Sequence, residues 1–179
     1  MLREPVDIAI VGAGAAGLMA AIAAARANRS GLKIILLDTR QKIGAKILIS
    51  GGTRCNVTNV RVTPQDYEGG PRHFVEHVLE AFTPEETRKF FEEIGAELVL
   101  ERTGKYFPVT HSGKTVLDAL LKEAERRGVL LKTGLQITGI RKSGTVFYLK
   151  GAAAGREENS AEVLARRVVL ATGGLSYPE

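Results

Sequence analysis

The sequence predicts an α/β domain with a central parallel sheet of Rossmann type, and three observations carry that prediction. Val6-Asp7-Ile8-Ala9-Ile10-Val11 is an apolar run rich in β-branched residues that stops at a glycine. Gly12, Gly14 and Gly17 then stand at G-x-G-x-x-G spacing across the start of an alanine-rich helical stretch. Lys33-Ile34-Ile35-Leu36-Leu37-Asp38 is a second strand, apolar through its middle as a parallel strand buried on both faces should be. Together they make a βαβ unit, the context in which a three-glycine motif holds a dinucleotide.

Each part of that unit has a physical reason. Gly12 permits the tight turn, and Gly14 lets backbone approach a pyrophosphate without a Cβ in the way. Gly17 lets the helix lie close against the strand. The helix is predicted from Gly14 to Asn28, and Gly31 stops it. Ala15 and Ala16 open it, so small side chains surround N–H groups that attract phosphate. Asp38 ends the second strand, where a carboxylate accepts hydrogen bonds from the ribose hydroxyls of an adenosine. Its plainer reading is a solvated acid at a strand end; the glycines upstream favour ribose. An acid there also argues against a 2′-phosphorylated nucleotide. Thr39 and Arg40 follow it and join the cofactor-binding candidates.

The stretch 44–59 has too much glycine and basic charge for a plain crossover. Lys46 and Arg54 flank a Ser50-Gly51-Gly52 turn able to bring backbone N–H groups to an anion, and Cys55-Asn56 add short polar side chains. Residues 60–71 read as a loop. Phe74, Val75, Val78, Leu79 and Phe82 repeat at helical spacing and predict a helix over 72–82. Thr83-Pro84-Glu85-Glu86 caps a second helix that runs to Ile94 and stops at Gly95, with Phe90 and Phe91 in the core. A short strand over 97–101 leads through a hairpin turn to an extended segment ending at Pro108. Ser112 caps a helix over 113–127, with Val116, Leu117, Leu120, Leu121 and Ala124 inward. Val129–Lys132 should join the parallel sheet, and Leu135–Lys142 with Thr145–Lys150 should form a hairpin around Ser143-Gly144. Gly151–Ser160 reads as a loop. Two short strands, 163–164 and 167–170, then deliver Ala171-Thr172-Gly173-Gly174. The organisation expected is a βαβ unit with its loop over 1–60, a helical region over 72–127, and closing strands over 129–179.

Composition narrows the class. With 44% apolar and 25% charged residues, the 179-residue chain resembles an ordinary globular domain. No apolar run approaches the roughly 20 residues that span a bilayer. Pro5 and Glu4 stand where a signal peptide would be apolar, so a cytoplasmic start is expected. The lone Cys55 excludes an internal disulfide and any multi-cysteine metal site. His73 and His77 form the only histidine pair at helical spacing and read as an exposed helix face, so no metal is expected. A net charge of +5 suits anionic ligands and permits nucleic acid without indicating it.

Gly44-Ala45-Lys46-Ile47-Leu48-Ile49-Ser50-Gly51-Gly52-Thr53-Arg54-Cys55-Asn56-Val57-Thr58-Asn59 resembles the signature of the BaiN/RdsA-type, aminoacetone-oxidase-family FAD-binding flavoproteins, G-x-K-I-L-I-S-G-G-G-R-C-N-V-T-N. Thr53 replaces the third glycine of that pattern, so a positive φ there would be strained. Glu101–Thr110 is similar to the family's E-x-x-G-R-x-F-P-x-S, with Lys105 for arginine and Thr110 for serine. Ala171–Pro178 is similar to its A-T-G-G-x-S-Y-P. The resemblance implies a two-dinucleotide-binding-type FAD domain with an added small β-hairpin or meander, and NAD(P)H as a candidate electron donor. It implies that Gly12 to Gly17 and Arg54 hold the pyrophosphate, Asp38 the ribose, and Lys46 with Ser50 to Asn56 the flavin edge. Gln136 and Ile137 would lie by the adenine, and Ala171–Gly174 would pack on the nucleotide loop.

Such proteins run to about twice this length, so the chain is expected to be the first part of one and to bind FAD weakly or not at all by itself. Three functions compete. The first is the FAD-binding portion of a flavin-dependent oxidoreductase, its members linked to reduction of activated C=C bonds in steroid-like enones or in a uridine of ribosomal RNA. The second is an NAD(P)-binding reductase domain, and the third a fragment with neither cofactor nor activity. The sequence assigns no catalytic residue among His73, His77, His111, Tyr106 and Tyr177.

Overall fold

The computed structural model describes residues 4–27, 31–153 and 156–174, the side chains of 156–160 excepted. Leu175–Glu179, including Tyr177, lie outside the described residues. In chain order the elements are β1 (Val6–Val11), α1 (Ala15–Ala27), β2 (Ile34–Leu37), α2 (Ala45–Ile49), β3 (Thr58–Asn59), α3 (Arg72–Ala81), α4 (Pro84–Glu93), β4 (Leu98–Leu100), β5 (Lys105–Pro108), α5 (Gly113–Arg126), β6 (Leu130–Lys132), β7 (Leu135–Ser143), β8 (Val146–Ala153) and β9 (Arg156–Leu170). The chain divides into two units, 1–46 with 120–179 and 47–119.

The first unit is a six-stranded sheet in the order β6-β2-β1-β9-β8-β7. β1 runs parallel to β2 on one side and to β9 on the other, and β6 runs parallel to β2. The α/β class and the parallel core are as the glycine motif and apolar runs require. Val6, Ala9, Val11, Ile35, Leu37, Leu135, Leu149, Val163 and Ala165 close into one buried cluster. α1 buries Gly17, Leu18, Ala21 and Ile22, one stripe of an otherwise slim helix.

β9 corrects the reading of the last third of the chain. Of the stretch read as a loop, 151–153 and 156–160 are strand: Gly151 pairs with Ala161 and Ala152 with Ser160. The two strands expected at 163–164 and 167–170 are one, antiparallel to β8 over its first part and parallel to β1 over its last. Small residues mimic a loop in composition, yet the ladder needs only backbone groups, and Leu149 and Val163 anchor its register in the core.

The second unit holds a three-stranded antiparallel sheet, β3-β5-β4. Thr83 caps α4 as its sequence demands: its Oγ1 accepts from Glu86 N at 3.2 Å while its own N–H donates to Glu86 Oε2 at 2.8 Å. Phe90 and Phe91 are buried and meet edge to face at 5.2 Å. α3 forms where the periodicity places it, but it buries none of its residues, and Phe74 and Val78 stand exposed.

One buried carboxylate ties α1 to the later half of α5 within the first unit. Glu123 is 4% exposed and accepts from Arg26 Nε at 2.9 Å, Arg126 Nε at 2.8 Å and Arg127 Nε at 3.0 Å. Burial pushes its carboxyl up, but the hydrogen bonds from Arg126, Arg127 and Arg26 outweigh burial and hold it at about 2. An unfolded glutamate titrates near about 4.3, so its contribution is complete above that pH and is lost as pH falls toward 2. Glu123→Gln should therefore cost about 2 kcal/mol at pH 7. Urea denaturation from pH 7 to 3 checks this, the stability gap between the two proteins narrowing toward the acid end.

Candidate functional site

The site grows from the carboxyl ends of β1, β2 and β9. In a parallel sheet the strand order turns outward on either side of β1, and a crevice opens at that point. A cavity of about 430 Å³ lies there, lined by Gly12, Gly14, Ala15, Ala16, Asp38, Arg40, Gly44, Ala45, Lys46 and Ala171–Gly174. The structure thus brings together most of the sequence candidates of the first unit. Gly17, Thr39, Gln136 and Ile137 lie outside this lining. Gly17 is buried under the turn, Thr39 and Gln136 are exposed, and Ile137 packs on the core cluster.

The three glycines do distinct work. Gly12 has φ +106°, and a Cβ on it would lie 2.3 Å from the Ala171 carbonyl oxygen. A Cβ on Gly17 would lie 1.8 Å from the Gly12 carbonyl oxygen. Both are packing constraints. A Cβ on Gly14 would meet no protein atom within 4 Å; it would project into open space. Protein packing does not explain the middle glycine, whereas a ligand on the turn does.

Asp38 is fixed from several sides. Its N–H donates to Lys132 O at 3.1 Å and its carbonyl accepts from Leu135 N at 2.9 Å. Its Oδ2 accepts from Ala13 N at 2.7 Å and its Oδ1 from Arg40 N at 2.8 Å. The carboxylate therefore braces the glycine turn and keeps lone pairs for further donors. The neighbouring turn is tied to the segment after β6, where Thr133 Oγ1 donates to Gln41 Oε1 at 3.2 Å. The residues present thus fit a dinucleotide: open backbone at Gly14, exposed first-turn residues of α1, and a braced acid at the end of β2. The charge also fits, because the first unit carries 17 Lys and Arg against 9 Asp and Glu, the second 8 against 11.

Ser50, Gly51, Gly52, Arg54, Cys55 and Asn56 belong to the second unit, where they form a tightly held loop. Gly51, Gly52, Thr53 and Cys55 all have positive φ, at 55°, 66°, 69° and 62°. Thr53 thus adopts the strained backbone that the missing glycine foretold. Gly113 N donates to Thr53 O at 2.8 Å and Cys55 N to Ser50 O at 2.9 Å. Burial pushes the Cys55 thiol up, against a smaller lowering by the Ser50 hydrogen bond. Arg54 Nη1 pairs with Glu101 Oε1 at 2.5 Å, and its guanidinium sits 4.1 Å from the Phe107 ring centroid. Arg54 is therefore engaged by protein groups on one side, while its side chain remains 40% exposed. Sequence reasoning missed Glu101 as its partner, although opposite charges in two motif-bearing segments were a usable signal. Among the described residues no group of His, Cys, Asp and Glu can hold a metal. No helix among them is long and apolar enough to cross a membrane.

Fold and cleft define a dinucleotide-binding domain of Rossmann type. The family model described as HI0933-like protein Rossmann domain matches residues 6–179, and the chain belongs to that family. This bears out the resemblance read from 44–59 and 171–174. The chain is 34% identical over 167 residues to a 3-dehydro-bile acid delta(4,6)-reductase of Clostridium scindens, covering 93% of this chain and 39% of that protein. It is 33% identical over 175 residues to a ribosomal RNA dihydrouridine synthase of Escherichia coli, covering 98% and 41%. The chain thus spans about two fifths of the length of the curated relatives it matches. In fold it resembles a 3-ketosteroid-delta4-(5alpha)-dehydrogenase from Rhodococcus jostii RHA1, with TM-score 0.67, 17% identity, and coverage of 98% of this chain and 48% of that one. It is also similar in fold to Thermovibrio ammonificans THI4, with TM-score 0.64, 17% identity, and coverage of 94% of this chain and 58% of that one.

Two substitutions test this account of the backbone. Gly12→Ala should destabilise by more than about 2 kcal/mol, since both its φ and its neighbour Ala171 oppose a side chain. Thr53→Gly should stabilise by about 1 kcal/mol by relieving the left-handed threonine. Denaturant titration measures both; a neutral Gly12→Ala or a destabilising Thr53→Gly contradicts it.

Proposed function

We propose that this chain is the FAD-binding portion of a cytoplasmic flavin-dependent oxidoreductase that reduces an activated carbon–carbon double bond. The observation that carries the reading is the convergence of Gly12, Gly14, Asp38 and Ala171–Gly174 on one cleft in a chain of this family. Gly14 and the start of α1 hold the diphosphate, and Asp38 accepts from the ribose hydroxyls. Lys46 and the 171–174 turn complete the lining of the cleft. The flavin, when bound, supplies hydride transfer to the substrate. NAD(P)H is the electron donor in this reading. A delta(4,6)-reductase and a dihydrouridine synthase both saturate a C=C bond, which supports that reaction class. The substrate is then an enone-like small molecule or a pyrimidine base in RNA.

An NAD(P)-binding reductase domain is the second reading, favoured by the same glycine spacing and by Asp38. Titration of the purified chain with FAD, followed by visible absorption and flavin fluorescence, separates the two. Saturable flavin uptake is the expected result, and Gly14→Ala should weaken it at least about tenfold with an unchanged melting curve. Uptake of NADH without flavin overturns the flavin assignment.

A further inference from the structure

The second glycine turn is held at its two ends by different means. At its start Ala171 N donates to Val11 O at 2.8 Å, a sheet-like bond of the buried framework. At its far end the Lys46 ammonium donates to the Gly174 carbonyl oxygen, a contact open to solvent. Between them Gly173 takes φ +77°, and a Cβ there would lie 3.4 Å from Lys46 Nζ. The ammonium thus lies close against the turn's left-handed residue as well as its last carbonyl. Lys46 and all four turn residues line the same cavity as Gly12, Gly14 and Asp38. An ammonium has three donors, and this carbonyl takes one. The others remain for an acceptor in the cavity, and a diphosphate is a stronger acceptor than water for an ammonium.

We propose that Lys46 is a positioning residue that couples the 171–174 turn to the anionic part of a bound nucleotide, holding the Gly174 carbonyl with one proton and the diphosphate with another. The inference rests on the cleft binding a nucleotide diphosphate, not on that nucleotide being a flavin. Such coupling is reciprocal: anything that orders the turn raises affinity for the diphosphate, and the diphosphate orders the turn. The turn needs this device because its last two residues are exposed glycines, which have no side chain to pack and the greatest freedom to lose.

The test uses the full chain, ADP as probe, and amide hydrogen exchange at Thr172, Gly173 and Gly174 beside ADP affinity by calorimetry. Lys46→Met should weaken ADP about tenfold and speed exchange at Gly173 and Gly174 several-fold without ADP. Saturating ADP should slow those amides at least about fivefold in the unsubstituted chain and less than about twofold in Lys46→Met. Lys46→Arg, which keeps the cation, should restore most of both effects. Weakened ADP binding with exchange unchanged makes Lys46 a plain phosphate ligand and overturns the proposal, as does equal ADP protection in both proteins. Failure of the unsubstituted chain to bind ADP overturns it too. ADP binding without FAD uptake leaves Lys46 in its role and removes only the flavin reading.

Discussion

At Gly12 the backbone passes so close to the Ala171 carbonyl that no side chain fits between them, and the first unit is arranged around that approach. β1 and β9 run parallel and end side by side, so the two glycine-bearing turns emerge together. Gly17 extends the constraint by letting α1 lie on the carbonyl of Gly12. One wall of the cleft is therefore fixed by close backbone packing, which needs no ligand to hold it. A wall already in place spares the ligand much of the ordering that binding otherwise requires. Gly14 is the exception that gives the arrangement its meaning. It alone of the motif's glycines faces space instead of protein, so its missing side chain serves whatever occupies the cleft.

The parts of this fold legible in the sequence were those written in short-range periodicity. β1, α1 and β2 followed from an apolar run, a glycine turn and a second apolar run. Thr83-Pro84-Glu85-Glu86 stated its own cap. The continuity of β9 was not legible, because Gly-Ala and charged residues around 151–160 satisfy a ladder through backbone alone and leave no pattern of side chains. Residues 44–59 hid structure in the same way: their glycines announced a turn, while the five-residue helix α2 within them gave no periodicity. In the site, Asp38 was legible from its place at a strand end. The pairing of Arg54 with Glu101 was only hinted at by opposite charges in two motif-bearing segments, since nothing local to either residue fixes a partner forty-seven positions away.

That pairing explains how the second unit tolerates a costly backbone. A threonine in the left-handed region carries a penalty of about 1–2 kcal/mol and persists only where its surroundings over-determine it. Here they do. Gly113 N holds the Thr53 carbonyl, and Arg54 beside it is clamped between the Glu101 carboxylate and the Phe107 ring. Cys55 N closes the loop back onto Ser50. Within this unit, the part of the first motif over 47–59 and the motif over 101–110 are thus one structural object. Its arginine does the work of a brace, which a lysine lacking the planar fork would do poorly.

Asp38 joins the two themes of bracing and recognition in a single side chain. Each carboxylate oxygen already accepts one backbone N–H, from Ala13 and from Arg40. A neutral asparagine at this position would present one acceptor and one donor, and its donor would face an N–H. Only an acid satisfies both amides and still has lone pairs for two ribose hydroxyls. The same charge repels a phosphate on the 2′ position. In the function proposed above, a preference for an unphosphorylated ribose would follow from the group that also holds the glycine turn in shape. A variant that changed one would disturb the other. In that proposal, recognition of the sugar and geometry of the phosphate cradle are one constraint, set where β2 ends.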